Sequence, residues 1–284
     1  MKSKRLILLA YTLLCYSNFI VFAQKITAIA KLAPVINESS GLVSYNDSIL
    51  ITHNDSGDKP LLYFINLKGE LVHSLEVQNA TNIDWEEITQ DKKGNLFIAD
   101  IGNNDNKRKN LKIYRIEYAN FLKMKSVKAE LISFHYADQN QFPPDESQLN
   151  YDAESLLFYN DSLWIFTKNR TVPFSGISFV YSLPSKPGNY EIRKRAELFI
   201  GNKGFAKDAV SAAAIFNDHV YLNTYNRVLI YKINNGLFTY LNQYATTPFS
   251  QKEALFIKNK HTIYFTDEVS KFIGGGRLYK MVIK

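Results

Sequence analysis

Five segments of this chain share one grammar, and that repeat constrains the fold more than any single motif does. Each opens on an acidic or hydroxyl residue, runs as a short apolar strand, turns through polar residues and ends in a second apolar strand. The pairs are 38–42 with 48–52, 86–88 with 95–99, 152–156 with 162–167, 210–212 with 219–224, and 252–255 with 262–266. Counting back nine or ten positions from the first apolar residue of each second strand (Ile49, Leu96, Leu163, Val220, Ile263) reaches Ser40, Glu87, Glu154, Ser211 and Glu253. A fixed period of this kind marks a repeat architecture, in which units bury their apolar faces against their neighbours.

Two further strand-like runs follow each of the first four pairs: 61–65 and 71–77, 111–117 and 129–136, 177–182 and 190–200, 228–233 and 238–244. The fifth pair is followed by only one, 277–283, while residues 25–32 stand alone at the other end. Pairing these two completes a fifth four-stranded unit and hides two open strand edges. The expected fold is all-β, a five-bladed β-propeller closed by the N-terminal strand. Six blades is the alternative, should the 119–151 connection hide a degenerate unit. A two-sheet sandwich would not explain the polar residue recurring at one register.

The first residues stand outside this pattern. Lys2, Lys4 and Arg5 precede an apolar run that ends at Val21-Phe22-Ala23, the layout of a cleaved export signal with Gln24 as the new N-terminus. A retained membrane helix would need roughly 20 apolar residues. Leu13-Leu14 before Cys15 lacks the small residue of a lipid-anchor site. Residues 1–23 are therefore expected to leave, and 24–284 to form one domain, exported to the periplasm or the exterior. Cleavage removes the only cysteine and three positive charges from a net +7. No later stretch is apolar enough to span a membrane, and the short basic run Lys107-Arg108-Lys109 reads as a solvated loop rather than a nucleic-acid site. The mature protein is expected to be a monomer.

In a propeller the innermost strand of each blade lines the central channel, and the loops entering it share a face with those leaving the second strand. Ser40, Glu87, Glu154, Ser211 and Glu253 are thus expected to line that channel. Three carboxylates in one narrow passage repel one another, and a cation resolves the conflict; all-oxygen ligands suit Ca²⁺ rather than zinc. A water-filled channel is the alternative. The rim carries His53, Asn54 and Asp55, then Trp85, then Asp100 and Asn103, then Lys168, Arg170 and Arg227. Asn54, Asp55, Trp85, Asn103, Lys168, Arg170 and Arg227 are candidate ligand contacts, and Asp55, Asp100 and His53 candidate catalytic groups. Asp and Asn are also ordinary turn residues, and Trp85 could equally pack between blades. The 138–152 connection, with Phe142-Pro143-Pro144, could cover the mouth or be merely a long loop.

Residues 53–57 (HNDSG), 84–87 (DWEE), 100–104 (DIGNN) and 152–154 (DAE) together resemble a family of exported bacterial propellers with no settled activity. The channel register is also similar to that of calcium-activated nucleotidases, or apyrases, whose five blades contribute Ser, Glu, Glu, Ser and Glu in that order. This resemblance implies a central Ca²⁺ at Ser40, Glu87, Glu154, Ser211 and Glu253. Where an acidic pair is expected outside the ring, His53-Asn54 stands instead. The functional expectation is a calcium-binding propeller whose polar face takes an anionic small molecule, a glycan or a protein. The alternative is a metal-assisted hydrolase of a phosphorylated, nucleotide-like or glycosidic substrate, in which Lys168, Arg170 and Arg227 neutralise charge while Asp55 or Asp100 orients water.

Overall fold

A computed structural model describes residues 26–283. The expected leader and Gln24 terminus lie outside the described residues. Five sheets, each antiparallel through four strands, form a ring, and the innermost strands Ser39–Ser44, Trp85–Gln90, Asp152–Tyr159, Val210–Phe216 and Lys252–Asn259 each touch the next around the axis. The last of them returns to the first.

Each blade runs outward in chain order. Blade 1 continues through Ile49–Asn54, Leu61–Asn66 and Leu71–Val77, and blade 2 through Leu96–Asp100, Leu111–Ile116 and Glu130–Tyr136. Blade 3 adds Ser162–Lys168, Ile177–Pro184 and Lys194–Phe199, and blade 4 adds His219–Thr224, Arg227–Asn234 and Leu237–Ala245. Blade 5 holds Thr262–Asp267 and Arg277–Val282, and its outer strand is Ile26–Lys31, paired from Ile26 opposite Met281 to Lys31 opposite Arg277 with a one-residue bulge between Ala28 and Ala30. The expected closure is thus present.

Because each sheet is covered on both sides, successive residues of one strand serve different cores. In Leu96–Asp100, Leu96 and Ile98 pack toward blade 1 with Ile51, Phe64 and Trp85, whereas Phe97 and Ala99 pack toward blade 3 with Leu156 and Ile165. Three more such cores fill the remaining gaps between neighbours. This explains why the strands read as almost unbroken apolar runs.

The structure corrects two details. The 119–151 connection holds no sixth blade: it supplies the outer strand of blade 2 and a two-residue strand, Ser126–Val127, that pairs parallel to the outer edge of blade 1. The run 190–200 is not one strand. Gly188–Ile192 crosses to pair parallel with Glu130–Tyr136 of blade 2, and only Lys194–Phe199 stays with blade 3. Among the described residues no helix is long and apolar enough to cross a membrane.

Candidate functional site

The top face, where loops enter the inner strands and leave the second strands, is shaped by a repeated irregularity. In blades 2 to 5 the pairing of these two strands slips by one residue at the same height. Trp85 faces Asp100 and Glu87 faces Ala99, so Glu86 is left over; Glu154, Ser211 and Glu253 are left over in the same way. A bulge of this kind re-aims the extra side chain. In blade 1 the slip follows Ser40 and takes in Gly41, whose φ of +69° suits glycine.

Seven carboxylates gather here in three overlapping groups: Asp55 with Glu253 and Glu268, Asp55 with Asp84 and Glu86, and Glu86 with Asp152 and Glu154. Within each group the ligand oxygens lie within 4.8 Å of one another. Asp152, Glu154, Glu86 and Glu253 are buried, while Asp55, Asp84 and Glu268 are half-buried. Gly102 admits the carboxylates of Asp84 and Glu86, since a Cβ there would lie 2.2 Å from Glu86 Oε1.

The third group is electrically compensated. Lys168 Nζ lies 2.8 Å from Glu154, and Arg170 pairs with Asp152 and stands 3.6 Å from Glu154. Phe205, which opens the one-turn helix Phe205–Asp208 before blade 4, sets its ring against both cations, 5.7 Å from Lys168 and 5.2 Å from Arg170. The other five acids have no ion-pair partner among the described residues. Asp55 accepts from the Ser56 amide at 2.6 Å, Glu253 from the Tyr225 hydroxyl at 2.7 Å, and Glu268 from the Gln251 amide at 3.1 Å. The carboxylates of Asp84 and Glu86 take part in no hydrogen bond among those residues.

Burial, reinforced by neighbouring acids, holds Asp55, Asp84, Glu86 and Glu268 toward their neutral forms. It lifts Asp84 to about 6, Asp55 to about 8 and Glu268 to about 10, and drives Glu86 well above the carboxylate range. Glu154 reaches about 7 through burial, although Lys168 pulls the other way. The metal-free protein is accordingly expected to lose stability as pH rises. A carboxyl with a raised folded pKa contributes fully below its unfolded value, and that contribution fades as pH climbs through the folded one. For Asp84, Glu154 and Asp55 the window runs from 3.8 to about 8. Melting in chelator should fall across it, and a flat or rising melting temperature would contradict a proton-filled cluster.

Of the residues singled out in the sequence, the structure brings Asp55, Glu154, Glu253, Lys168 and Arg170 to this cluster. Glu87 goes elsewhere: fully buried, its carboxylate accepts from the amides of Ile88 at 3.1 Å and Ala213 at 3.2 Å, tying blade 2 to blade 4. The register residue of blade 2 is Glu86, one position earlier. Ser40 and Ser211 each donate to a carbonyl of the next inner strand, Glu86 at 2.6 Å and Lys252 at 3.0 Å. His53 is buried edge-on to Trp85 at 5.6 Å, and burial lowers it to about 4, so the ring is neutral. Trp85, itself fully buried, packs between blades and donates to Thr81 O at 3.2 Å.

The remaining candidates are engaged within the framework. Asp100 is buried against Arg108 at 2.7 Å and Lys112 at 3.9 Å. Asn54 donates to Val35 O and Asp58, and Asn103 joins Tyr151 O to the Arg108 amide. Arg227 pairs with buried Asp208 at 2.6 Å. The 138–152 connection is tied to the rim, with Leu149 and Glu146 carbonyls accepting from the amides of Arg170 and Val172 at 3.0 Å. Sequence reasoning does not reach Glu86, Asp84, Asp152 or Glu268 as ligands; only the bulge, invisible without strand pairing, singles out Glu86.

No family model and no curated protein matches the chain. Among solved structures it is similar to glutaminyl cyclase from Myxococcus xanthus, at 12% identity over 92% of this chain and 99% of that one, with a TM-score of 0.53. It is also similar to the PQQ-bound form of an aldose sugar dehydrogenase from Streptomyces coelicolor, at 11% identity over 92% and 98%, with a TM-score of 0.52. The motif resemblances to exported propellers and to apyrases therefore stay resemblances, and what the comparisons show is the fold, a β-propeller.

Proposed function

We propose that this chain is an exported propeller whose top-face pocket holds a divalent cation, Ca²⁺, between Asp55, Asp84 and Glu86, and presents the loaded pocket to an anionic ligand. One observation carries the reading: Glu86, 2% exposed, has a carboxylate with no hydrogen bond and no ion pair among the described residues. A buried carboxylate without a partner is costly, and a cation removes that cost. The donor set is all oxygen, which suits a hard ion. Arg170, whose side chain is 24% exposed beside the acids, is the cation that an anion would meet. If the protein is exported, an affinity in the 10⁻⁴–10⁻³ M range of extracellular calcium modules suffices.

The test is thermal melting with calcium and with chelator. Calcium at about a hundred times its dissociation constant adds roughly 2.7 kcal/mol, a rise of roughly 5–11 °C for a domain of this size. Glu86→Gln should abolish most of the rise, and Glu146→Gln in the exposed loop should leave it intact. Identical melting with calcium and chelator, with no metal on elemental analysis, would leave a water-filled, proton-neutralised pocket instead. A metal-assisted hydrolase is favoured by a separate feature, the Glu154 carboxyl at about 7, poised to exchange protons near neutrality. Turnover of a phosphate ester, beyond saturable binding, distinguishes the two.

A further inference from the structure

We infer that the central channel holds a separate site at its lower end, opposite the acid cluster, and that this site takes an organic ammonium ion, a primary amine on a small apolar body. It shares no residue with the calcium site and does not depend on it.

A cavity of about 590 Å³ opens there, within the roughly 300–1,000 Å³ range of small-molecule sites. All five blades line it, through the later residues of their inner strands. Leu42, Ile88, Leu255 and Ile257, all buried, give it an apolar wall. Glu87 closes its inner end. The carboxylate reaches across the axis from blade 2 to blade 4, and both residues whose amides hold it, Ile88 and Ala213, line the cavity.

That grip on Glu87 decides what the cavity can bind. The inner strands are the edges of their sheets, with no paired strand on the axial side. In an antiparallel pair each residue turns its N–H and C=O to the same side, so the carbonyls of Ile88 and Ala213 face the axis along with their amides. Glu87 takes both amides, while neither carbonyl has a hydrogen-bond partner among the described residues. The Asp91 amide donates back into the blade, to Asn95 O at 3.1 Å, so Gln90 before it faces the axis as Ile88 does. The inner wall therefore offers more acceptors than donors, and an ammonium, with three N–H groups and no acceptor, fits it. Charge at the mouth agrees. Asp91 and Asp218 stand in the turns that end the inner strands of blades 2 and 4, and Lys92 is the one basic residue on the lining. An anion is disfavoured there and a cation is drawn in.

Calorimetric titration of the full chain with 2-phenylethylamine at neutral pH tests the site. The expected result is one amine per chain. Its neutral analogue 2-phenylethanol, and its N-trimethyl analogue, which has no N–H to donate, should each bind roughly tenfold more weakly or worse, as expected for lost charge-assisted hydrogen bonds. Ala214→Phe fills the cavity from its half-buried wall and should abolish binding. Ala214→Leu provides a second route should the phenylalanine fold poorly, with circular dichroism as the check. Asp218→Asn, at the exposed mouth, should weaken binding by about threefold. No saturable binding of the amine overturns the inference, as does equal binding of the alcohol or of the trimethyl ion. Binding that survives both Ala214 substitutions places the amine elsewhere and overturns it too.

Discussion

A chain lacking residues 26–32 is expected to melt roughly 10–20 °C lower than the full chain and to aggregate on heating. Ile26 is 6% exposed and packs in the core between blades 4 and 5; Leu32, 4% exposed, packs between blades 5 and 1. Burying two such side chains is worth roughly 3–6 kcal/mol, and each kcal/mol moves the melting point by roughly 2–4 °C in a domain of this size. The Leu32 amide also donates to Gly276 O at 2.8 Å. Without the segment, Arg277–Val282 becomes an open edge with a row of unpaired backbone groups, which favours pairing between molecules. Scanning calorimetry and size-exclusion chromatography measure both effects. A truncated protein that stays monomeric and melts unchanged would show that the ring does not depend on this strand.

Lys168→Met should cost about 3–5 kcal/mol at pH 8, the range for removing one partner of a buried ion pair. Lys168 is 4% exposed and Glu154 3%. Burial alone would discharge the lysine, but Glu154, Tyr225 and Glu253 together outweigh burial and hold it charged. Its removal leaves Glu154 beside Asp152 and Glu86, which pushes the Glu154 carboxyl further above its present value of about 7. At pH 5.5 that carboxyl binds a proton in the folded state, so the cost of the substitution should shrink. Adding Glu154→Gln should restore most of the loss at pH 8. Urea denaturation of the single and double variants at both pH values measures this coupling. An equal loss at both pH values would mean that packing of the lysine stem, not charge, is what the substitution removes.

The repeat was legible because each blade must place a polar residue where its inner strand meets the axis and apolar residues everywhere else. That requirement puts Glu154, Ser211 and Glu253 nine or ten positions before Leu163, Val220 and Ile263. Closure was legible by counting strands, since one unit was short by one and one strand was left over. The position of the acids in blade 2 was not legible. Glu86 and Glu87 are adjacent, and strict alternation sends them to opposite sides; which one reaches the pocket depends on a one-residue slip against Leu96–Asp100. The rim asparagines mislead for another reason. Asn54 and Asn103 have the composition of a ligand site, but their amides are occupied in fixing backbone, Asn54 near Val35 and Asn103 between Tyr151 and Arg108. The crossing of Gly188–Ile192 is a tertiary choice: as local sequence it continues into the strand of blade 3, yet the outer edge of blade 2 takes it.

The strand that finishes the ring is among the first parts of the domain to be synthesised and is the last to find its partner. Ile26–Lys31 pairs with Arg277–Val282, so at roughly 5–20 residues per second of translation it waits on the order of 12–50 s for the ~250 residues between them. During that time blades 1 to 4 can assemble in order, each from strands already made, while the leading strand stays a free edge. Joining the two ends is then an encounter across nearly the whole chain, whose entropic cost grows only with the logarithm of the separation but which no local hairpin can begin. Completion of the propeller is therefore a step that follows synthesis, and anything that shields residues 26–31 until then protects the whole ring.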